Sequence, residues 1–361
     1  MEILLRILLF LLGAAIVAET LFSAMETFVL PRSAQDRLSR WVFIAVRAVF
    51  NLLMRRARSY IERDRILAFY APVALLALVP IWYFLVVIGY TLIYRAVGAN
   101  SWYEAFRDSG SALLTLGFAT VEGWARTALA FSEAAIGLLL VGLLIAYLPT
   151  MYAAFSRREA QVTLLEVRAG NPPTAVEMIK RYYRIHGMDQ LTSVWRTWES
   201  WFADIEESHT SLAALVFFRS PQGDHSWVTA AGAVMDAAAL MQSTVDFSDD
   251  PQAALCIRAG YLALRRIGDF FAIPYNPNPE RGDPVSIPRE EYDQVVAELE
   301  EAGVPIKVNR AEAWLDFTGW RVNYDQTLLA LSSLTMAPWS PWTGSREKRY
   351  RVPLWSSKHK S

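Results

Sequence analysis

The sequence lacks most of the chemistry that enzymes and metal sites use. Its single cysteine, Cys256, excludes an intrachain disulfide and fits a reducing compartment for the half that contains it. Glycine-rich nucleotide loops, P-loops, calcium loops and nucleophile–base motifs are all missing. The four histidines lie apart and show no metal-ligand spacing: His186, His209, His225 and His359. These absences predict a protein that is not an enzyme and that needs no cofactor or metal.

Net charge is almost absent as well. The 35 basic and 36 acidic residues leave a formal charge of −1, so no global field indicates a nucleic-acid partner. With 53% apolar residues, the chain is too apolar for an ordinary soluble domain. With 20% charged residues, it is too charged for a protein that lies in the membrane over its whole length. The composition predicts a membrane part followed by a soluble part. The helical patterns in both parts predict an all-α fold.

Three segments are long and apolar enough to cross a bilayer, which takes about 20 residues. They are an N-terminal transmembrane helix in residues 1–31, an outer helix in 66–97 and an inner helix in 128–155. The first segment has an alternative interpretation as a signal peptide, because its run LLFLLGAAIVA ends in small residues. Its positive flank follows the apolar run instead of preceding it, which favours an uncleaved span.

Arginines are distributed unevenly between the connections. Residues 32–65 contain nine arginines, whereas residues 98–127 contain only Arg107 and Arg126. By the positive-inside rule, the first connection is cytoplasmic and the second is external. The sequence therefore predicts a multi-pass protein of the cell membrane, with its N-terminus outside and everything after Phe155 in the cytoplasm.

Residues 32–65 also predict a basic amphipathic helix. Its apolar run is too short to span, so we expect it to lie in the membrane interface, with an ordinary cytoplasmic linker helix as the alternative. The expected apolar stripe consists of Leu38, Trp41, Val42, Ala45, Val49 and Leu52.

A short segment between the outer and inner helices predicts a re-entrant loop. Residues 102–114 have a helical pattern with Ser101 as the N-cap, but this helix is too short to cross a membrane. The residues that follow are non-helical, and backbone at membrane depth must be buried in protein or line a water-filled path. Residues 101–120 are therefore interpreted as a pore helix followed by a filter.

The order of these elements resembles the two-transmembrane tetrameric potassium channels, whose shared filter is Thr-Val-Gly-Tyr-Gly. In this chain the corresponding residues are Thr115-Leu116-Gly117-Phe118-Ala119, and the resemblance covers a pore domain at residues 66–160. It implies a homotetramer in the lipid bilayer that conducts a monovalent cation, K⁺, through a ring of backbone carbonyls. Four chains are implied because one loop per chain cannot close a ring.

The resemblance also implies a role for each residue of the loop. Thr115 would supply the innermost ring through its hydroxyl and carbonyl oxygens. Leu116 and Gly117 would supply the middle carbonyls, with Gly117 free to adopt a positive φ. Phe118 would pack behind the filter.

Two positions depart from the family pattern. Ala119 stands where the family has its second glycine, and Thr120, a filter-supporting candidate, stands where it usually has aspartate. If position 119 needs a left-handed backbone, alanine costs on the order of 1 kcal/mol. Potassium selectivity therefore stays open against non-selective cation conduction.

The inner helix carries further candidates. Glu133, also filter-supporting, is expected to bond to the back of the pore loop, because a carboxylate in a span needs a cavity or a partner. Gly137 and Gly142 are candidate hinges, with close helix packing as the alternative. Pro149 is a candidate kink near the cytoplasmic mouth.

From residue 161 the sequence predicts a soluble helical cytoplasmic domain, 161–335, with a single helix over 309–335 and a basic tail at 336–361. A tryptophan stripe in this domain is interpreted as core in preference to an aromatic cage. Arg265, Arg266 and Asp269 form either a polar site or a solvated helix face. No motif indicates a ligand or protein partner for the domain.

The combined expectation is a tetrameric cation channel. A non-conducting scaffold or signalling protein that retains the pore fold is the alternative, and Ala119 favours it. The inner helix is expected to continue into the cytoplasmic domain, which would either bias the gate or hold the four chains together.

Overall fold

The computed structural model describes residues 2–29 and 36–344. Within these ranges the regular elements are helices, and the one β-bridge pairs Val245 with Ile306. The all-α prediction is confirmed for this part of the chain. Three stretches are long and apolar enough to cross a membrane: Glu2–Phe28, Tyr60–Val97 and Trp124–Ala169.

The described chain divides into two compact units. The first contains residues up to Arg55 together with Phe69–Ala153, and the second contains Arg56–Ala68 and the residues from Ala154 onward. In chain order, the helices of the N-terminal half are α1 Glu2–Phe28, α2 Arg37–Met54, α3 Tyr60–Leu67, α4 Tyr70–Val97, α5 Trp102–Leu113 and α6 Trp124–Ala169. Helix α3 belongs to the second unit, and α6 contributes residues to both.

Small residues allow α1 and α4 to pack closely in the first unit. A Cβ placed on Gly13 would overlap the carbonyl oxygen of Gly89, and one placed on Gly89 would lie 2.6 Å from Val17 Cγ2. Farther along α1, Ser23 accepts a hydrogen bond from Nε1 of the buried Trp82 at 3.0 Å. Close backbone approach of this kind is how apolar helices associate where no hydrophobic driving force acts between them.

The single helix expected over residues 32–65 is wrong for the described residues. Helix α2 ends at Met54 and α3 begins at Tyr60, with Ser59 as its N-cap, so the outer helix starts at Tyr70 and not at residue 66. Residues 30–35 lie outside the described ranges.

The buried face of α2 also differs from the expected stripe. Of that stripe, Trp41, Val49 and Leu52 are exposed. The buried residues recur at helical spacing around a different face: Val42, Phe43, Arg47, Phe50 and Met54. Val42 belongs to both sets, but α2 is buried mainly on the face adjacent to the expected stripe.

The second unit is a helical bundle. Its remaining helices are α7 Ala175–Arg184, α8 Leu191–Ser211, α9 Trp227–Ser243, α10 Pro251–Phe270, α11 Arg289–Glu301, α12 Arg310–Arg321 and α13 Asp325–Thr335. Helix α9 is buried on nearly all sides and is rich in alanine, which lets its neighbours approach closely. Trp195, Trp198 and Trp201 of α8 are buried, so the core interpretation of the tryptophan stripe is confirmed.

Two expectations for the C-terminal part of this unit are wrong. Residues 309–335 form two helices because the Asn323 side chain donates to the carbonyl oxygens of Gly319 and Trp320 and ends α12. The tail expected from residue 336 is packed as far as residue 344, with Ser340 Oγ donating to Pro173 O at 3.0 Å. Residues 345–361 lie outside the described ranges.

Candidate pore loop

Helix α5, the candidate pore helix, begins and ends close to the expected positions. Ser101 caps it by accepting from the Glu104 amide at 3.0 Å, and the Glu104 carboxylate accepts from the Asn100 amide at 2.9 Å. The helix extends from Trp102 to Leu113, which at about 1.5 Å per residue is too short to cross a membrane.

The loop after α5 is anchored through its amide groups. Thr115 N donates to Ala112 O at 3.0 Å, and Leu116 N donates to Ser111 O at 2.9 Å. Ala119 N donates to the Ser111 hydroxyl at 3.1 Å. Among the described residues, no recorded hydrogen bond ends on a carbonyl oxygen of residues 115–119. The loop therefore uses its donors to hold its shape and leaves a row of acceptors available.

Two loop residues adopt the left-handed conformation. Gly117 has φ 69°, as the sequence predicts for it, and Thr115 has φ 52°. Ala119 is not among the residues with positive φ, so the expected alanine cost does not arise at that position. Thr115 carries the strain instead, because a β-branched residue in this region costs on the order of 1–3 kcal/mol.

The apolar side chains of the loop have little cover within the chain. Leu116 is 59% exposed and Phe118 is 64% exposed, and Thr120 is also exposed. Phe118 does not pack behind the loop of its own chain, contrary to the role that the resemblance implies. A packing role for it would require a neighbouring subunit.

Glu133 of α6 lies behind the pore helix. Its carboxylate is fully buried and accepts a hydrogen bond from the Ser109 hydroxyl of α5 at 2.5 Å. The sequence predicts a bond from Glu133 to the back of the loop, whereas the bond in the structure is to Ser109 of α5, the helix that precedes the loop. It joins the inner helix to the helix that carries the loop.

A second polar connection was missed by the sequence reasoning. Arg126, in the first turn of α6, forms ion pairs with Glu104 at 2.6 Å and with Asp108. The Asp108 side chain is fully buried and also pairs with Arg107 at 3.2 Å. The spacing of Glu104 and Asp108 on one face of α5 was the available signal, since acids four residues apart lie on the same side of a helix.

The inner-helix candidates separate into different environments. A Cβ on Gly137 would overlap the carbonyl oxygen of Leu113, and Tyr83 donates to Gly137 O at 2.7 Å, which favours the packing interpretation there. A Cβ on Gly142 would meet no atom within 4 Å. Pro149 lies inside α6 without ending it, because the helix continues to Ala169.

In the second unit, α6 is tied to the bundle through Arg158. This fully buried guanidinium donates to Leu215 O and Phe218 O, each at 2.8 Å, and contacts His209 Nε2 at 3.1 Å. Burial first, and then the Arg158 charge, holds the pKa of His209 well below its usual value. The ring is therefore neutral and can accept from Arg158.

A second arginine holds α3 in this unit. Arg219 pairs with Asp64 of α3 and donates to Tyr60 Oη at 2.6 Å and to Thr335 O at 2.6 Å. Arg158 thus binds the backbone of residues 215–218, and the next residue, Arg219, binds α3. The inner-helix extension and the element before the outer helix are connected through residues 215–219.

No ligand centre is evident from the candidate polar residues of this unit. Arg265 donates to Asn323 O and Pro277 O, Arg266 pairs with Glu206, and Asp269 accepts from Tyr275. Arg265 also lies over the ring of Tyr275, 5.2 Å from its centroid, so Arg265 and Asp269 share that tyrosine, whereas Arg266 is engaged elsewhere. Within residues 2–29 and 36–344, no cluster of histidine, cysteine or acidic residues could hold a metal ion.

Comparisons with known proteins identify no family. No family model, no curated protein and no solved structure matches the chain. The resemblance to two-transmembrane channels therefore depends on the motif and the geometry of the loop.

Proposed function

We propose that the chain is one subunit of a homotetrameric cation channel in the cell membrane, with residues 115–119 lining the ion path. The observation that carries this proposal is the row of carbonyl oxygens that accept no recorded hydrogen bond, on a loop that follows a half-length helix between two apolar helices. At membrane depth an unpaired backbone group costs several kcal/mol, so such a row needs water or ions.

The charge of the path should favour cations. The loop follows the C-terminus of α5, where the helix macrodipole places roughly half a negative charge. The positive charge of Arg126, at the start of α6, is neutralised by Glu104 and Asp108. Carbonyl oxygens and a helix C-terminus together stabilise a dehydrating monovalent cation and repel an anion.

We further propose that the second unit biases opening, with the N-terminus outside the cell and this unit in the cytoplasm. The chain passes between the two units at residues 55–56, 68–69 and 153–154. Since α3 leads into α4, and α6 enters the second unit as a continuous helix, a rearrangement of the bundle acts on both helices of the pore domain.

The experiment is ion flux into liposomes that contain the full chain. Gly117→Asp should abolish flux and leave tetramers intact, because an aspartate side chain at φ 69° disturbs the backbone that carries the carbonyls. Gly123→Asp is the matched control, since Gly123 also has a positive φ, 88°, and open space around its Cβ position.

Flux that survives Gly117→Asp would exclude residues 115–119 as the filter. Tetramers that show no flux in the wild-type protein would favour the non-conducting scaffold.

A further inference from the structure

Four arginines lie within a stretch of ten residues in the second unit, are exposed and form no ion pair among the described residues. They are Arg56, Arg58, Arg63 and Arg65, called here the arginine patch. Within the described ranges none of them forms an ion pair. This concentration of exposed, unpaired guanidinium groups is available to an anionic partner from outside the described chain.

The acidic residues beside the patch are already engaged. Glu62 accepts a hydrogen bond from the Arg58 backbone amide at 2.7 Å, and Asp64 is paired with Arg219. Neither carboxylate therefore forms an ion pair with a guanidinium group of the patch.

The other end of α4 provides a contrast. Beyond that end, Arg107 of α5 pairs with Asp108, and Arg126 in the first turn of α6 pairs with Glu104 and Asp108. These two arginines are neutralised within the chain, whereas those before α4 are not. Arg95, in the last turn of α4, donates to Ala99 O instead of pairing with an acid, so the contrast concerns Arg107 and Arg126.

We propose that the arginine patch binds the phosphate groups of anionic phospholipids. The patch directly precedes α4, which lies in one of the three stretches able to cross a membrane, so chain connectivity holds it near the headgroups. Guanidinium groups bind phosphate oxygens through two parallel hydrogen bonds, which a water-exposed lysine does not reproduce. Basic residues beside a span are a recognised basis for anionic-lipid preference.

The expected preference is large enough to measure. Each basic residue near an anionic surface contributes about fivefold in affinity, so the loss of several arginines should remove most of the preference. The interaction should also weaken in 1 M salt, where the Debye length falls to about 3 Å. The inference requires that the chain lie in a membrane, and it does not depend on ion conduction.

The experiment is lipid retention by the full chain. The protein is reconstituted in nanodiscs of phosphatidylcholine and phosphatidylglycerol, extracted with mild detergent, and analysed for the lipid that stays bound. We expect enrichment of phosphatidylglycerol in the wild-type protein. In a variant with glutamine at the four patch positions, the enrichment of phosphatidylglycerol should be at least tenfold lower.

A matched control removes the same charge elsewhere in the second unit. Arg168→Gln, Arg184→Gln, Arg196→Gln and Arg258→Gln change arginines that also form no ion pair among the described residues, and this variant should retain the enrichment. Equal loss in both variants would overturn the proposal, because net charge alone would then explain it. Inorganic phosphate that displaced the bound lipid at equal concentration would overturn the assignment to a lipid headgroup.

Discussion

Replacing Arg126 with glutamine tests whether the ion pairs behind the pore loop hold it in place. Arg126 connects α6 to Glu104 and Asp108 of α5, and its side chain is only 14% exposed. Glutamine keeps much of the length but removes the charge. The buried Asp108 carboxylate then retains only Arg107, whose side chain is 40% exposed.

The magnitude follows from the burial of Asp108. Breaking a fully buried pair costs about 3–5 kcal/mol, because the remaining charge is left uncompensated. Arg107 remains within 3.2 Å of Asp108 and water reaches it, so we expect about 2 kcal/mol in this case. Every 1.4 kcal/mol is tenfold in an equilibrium, so the anchored form of the loop should become about 30-fold less favoured.

The assay combines thermal unfolding in detergent with liposome flux. Arg126→Gln should lower both the unfolding temperature and the flux, and Asp108→Asn in the same chain should restore part of each by removing the stranded charge. Arg157→Gln is the control, since Arg157 forms an exposed pair with Asp204 and should change stability by less than about 1 kcal/mol. If Asp108→Asn worsens the Arg126→Gln protein, the buried-charge argument fails.

Three further changes test other parts of the molecule. Gly137→Ala should lower flux and tetramer stability because the new Cβ overlaps Leu113 O, whereas Gly142→Ala should be tolerated; equal effects would remove the packing role of Gly137. Because the folded-state pKa of His209 is depressed, the unfolded chain binds more protons below about pH 6.5, so the second unit should lose stability as pH falls through that value. His209→Gln should flatten this dependence in denaturant titrations, and an unchanged slope would assign it to other groups. Arg219→Gln and Asp64→Asn should each shift open probability, with the double variant matching either single one; additive shifts would show that the pair does not transmit the effect.

The sequence predicted the local features of the loop because they depend on neighbouring residues. Ser101 and Glu104 are three residues apart and cap the helix between them, and the glycine at position 117 permits the positive φ that the structure shows. The three apolar stretches were equally evident, since length and composition alone define them. These predictions needed no knowledge of what contacts what.

The missed features depend on contacts between distant residues. Arg126 pairs with acids that precede it by 18 and 22 residues, and nothing in the local pattern indicates that the two helices meet there. The strain at Thr115 was assigned to Ala119 instead, because the family pattern marks the fifth position and not the first. A pattern identifies which residues can adopt a conformation, but packing decides which of them must.

Residues 215–219 also make contacts between distant parts of the chain that the sequence pattern does not predict, and these contacts bear on the proposed function. Leu215 and Phe218 accept from Arg158 through backbone oxygens, which leave no trace in the sequence, while Arg219 bonds to Asp64, 155 positions earlier in the chain. Because α3 and the C-terminal part of α6 both belong to the second unit, neighbouring residues of that unit hold each of them: Arg219 holds α3, and the carbonyl oxygens of Leu215 and Phe218 hold α6. A bundle that held only the inner-helix extension could splay one helix. The proposed regulation of opening by the second unit therefore predicts that a change at residues 215–219 affects both α3 and α6.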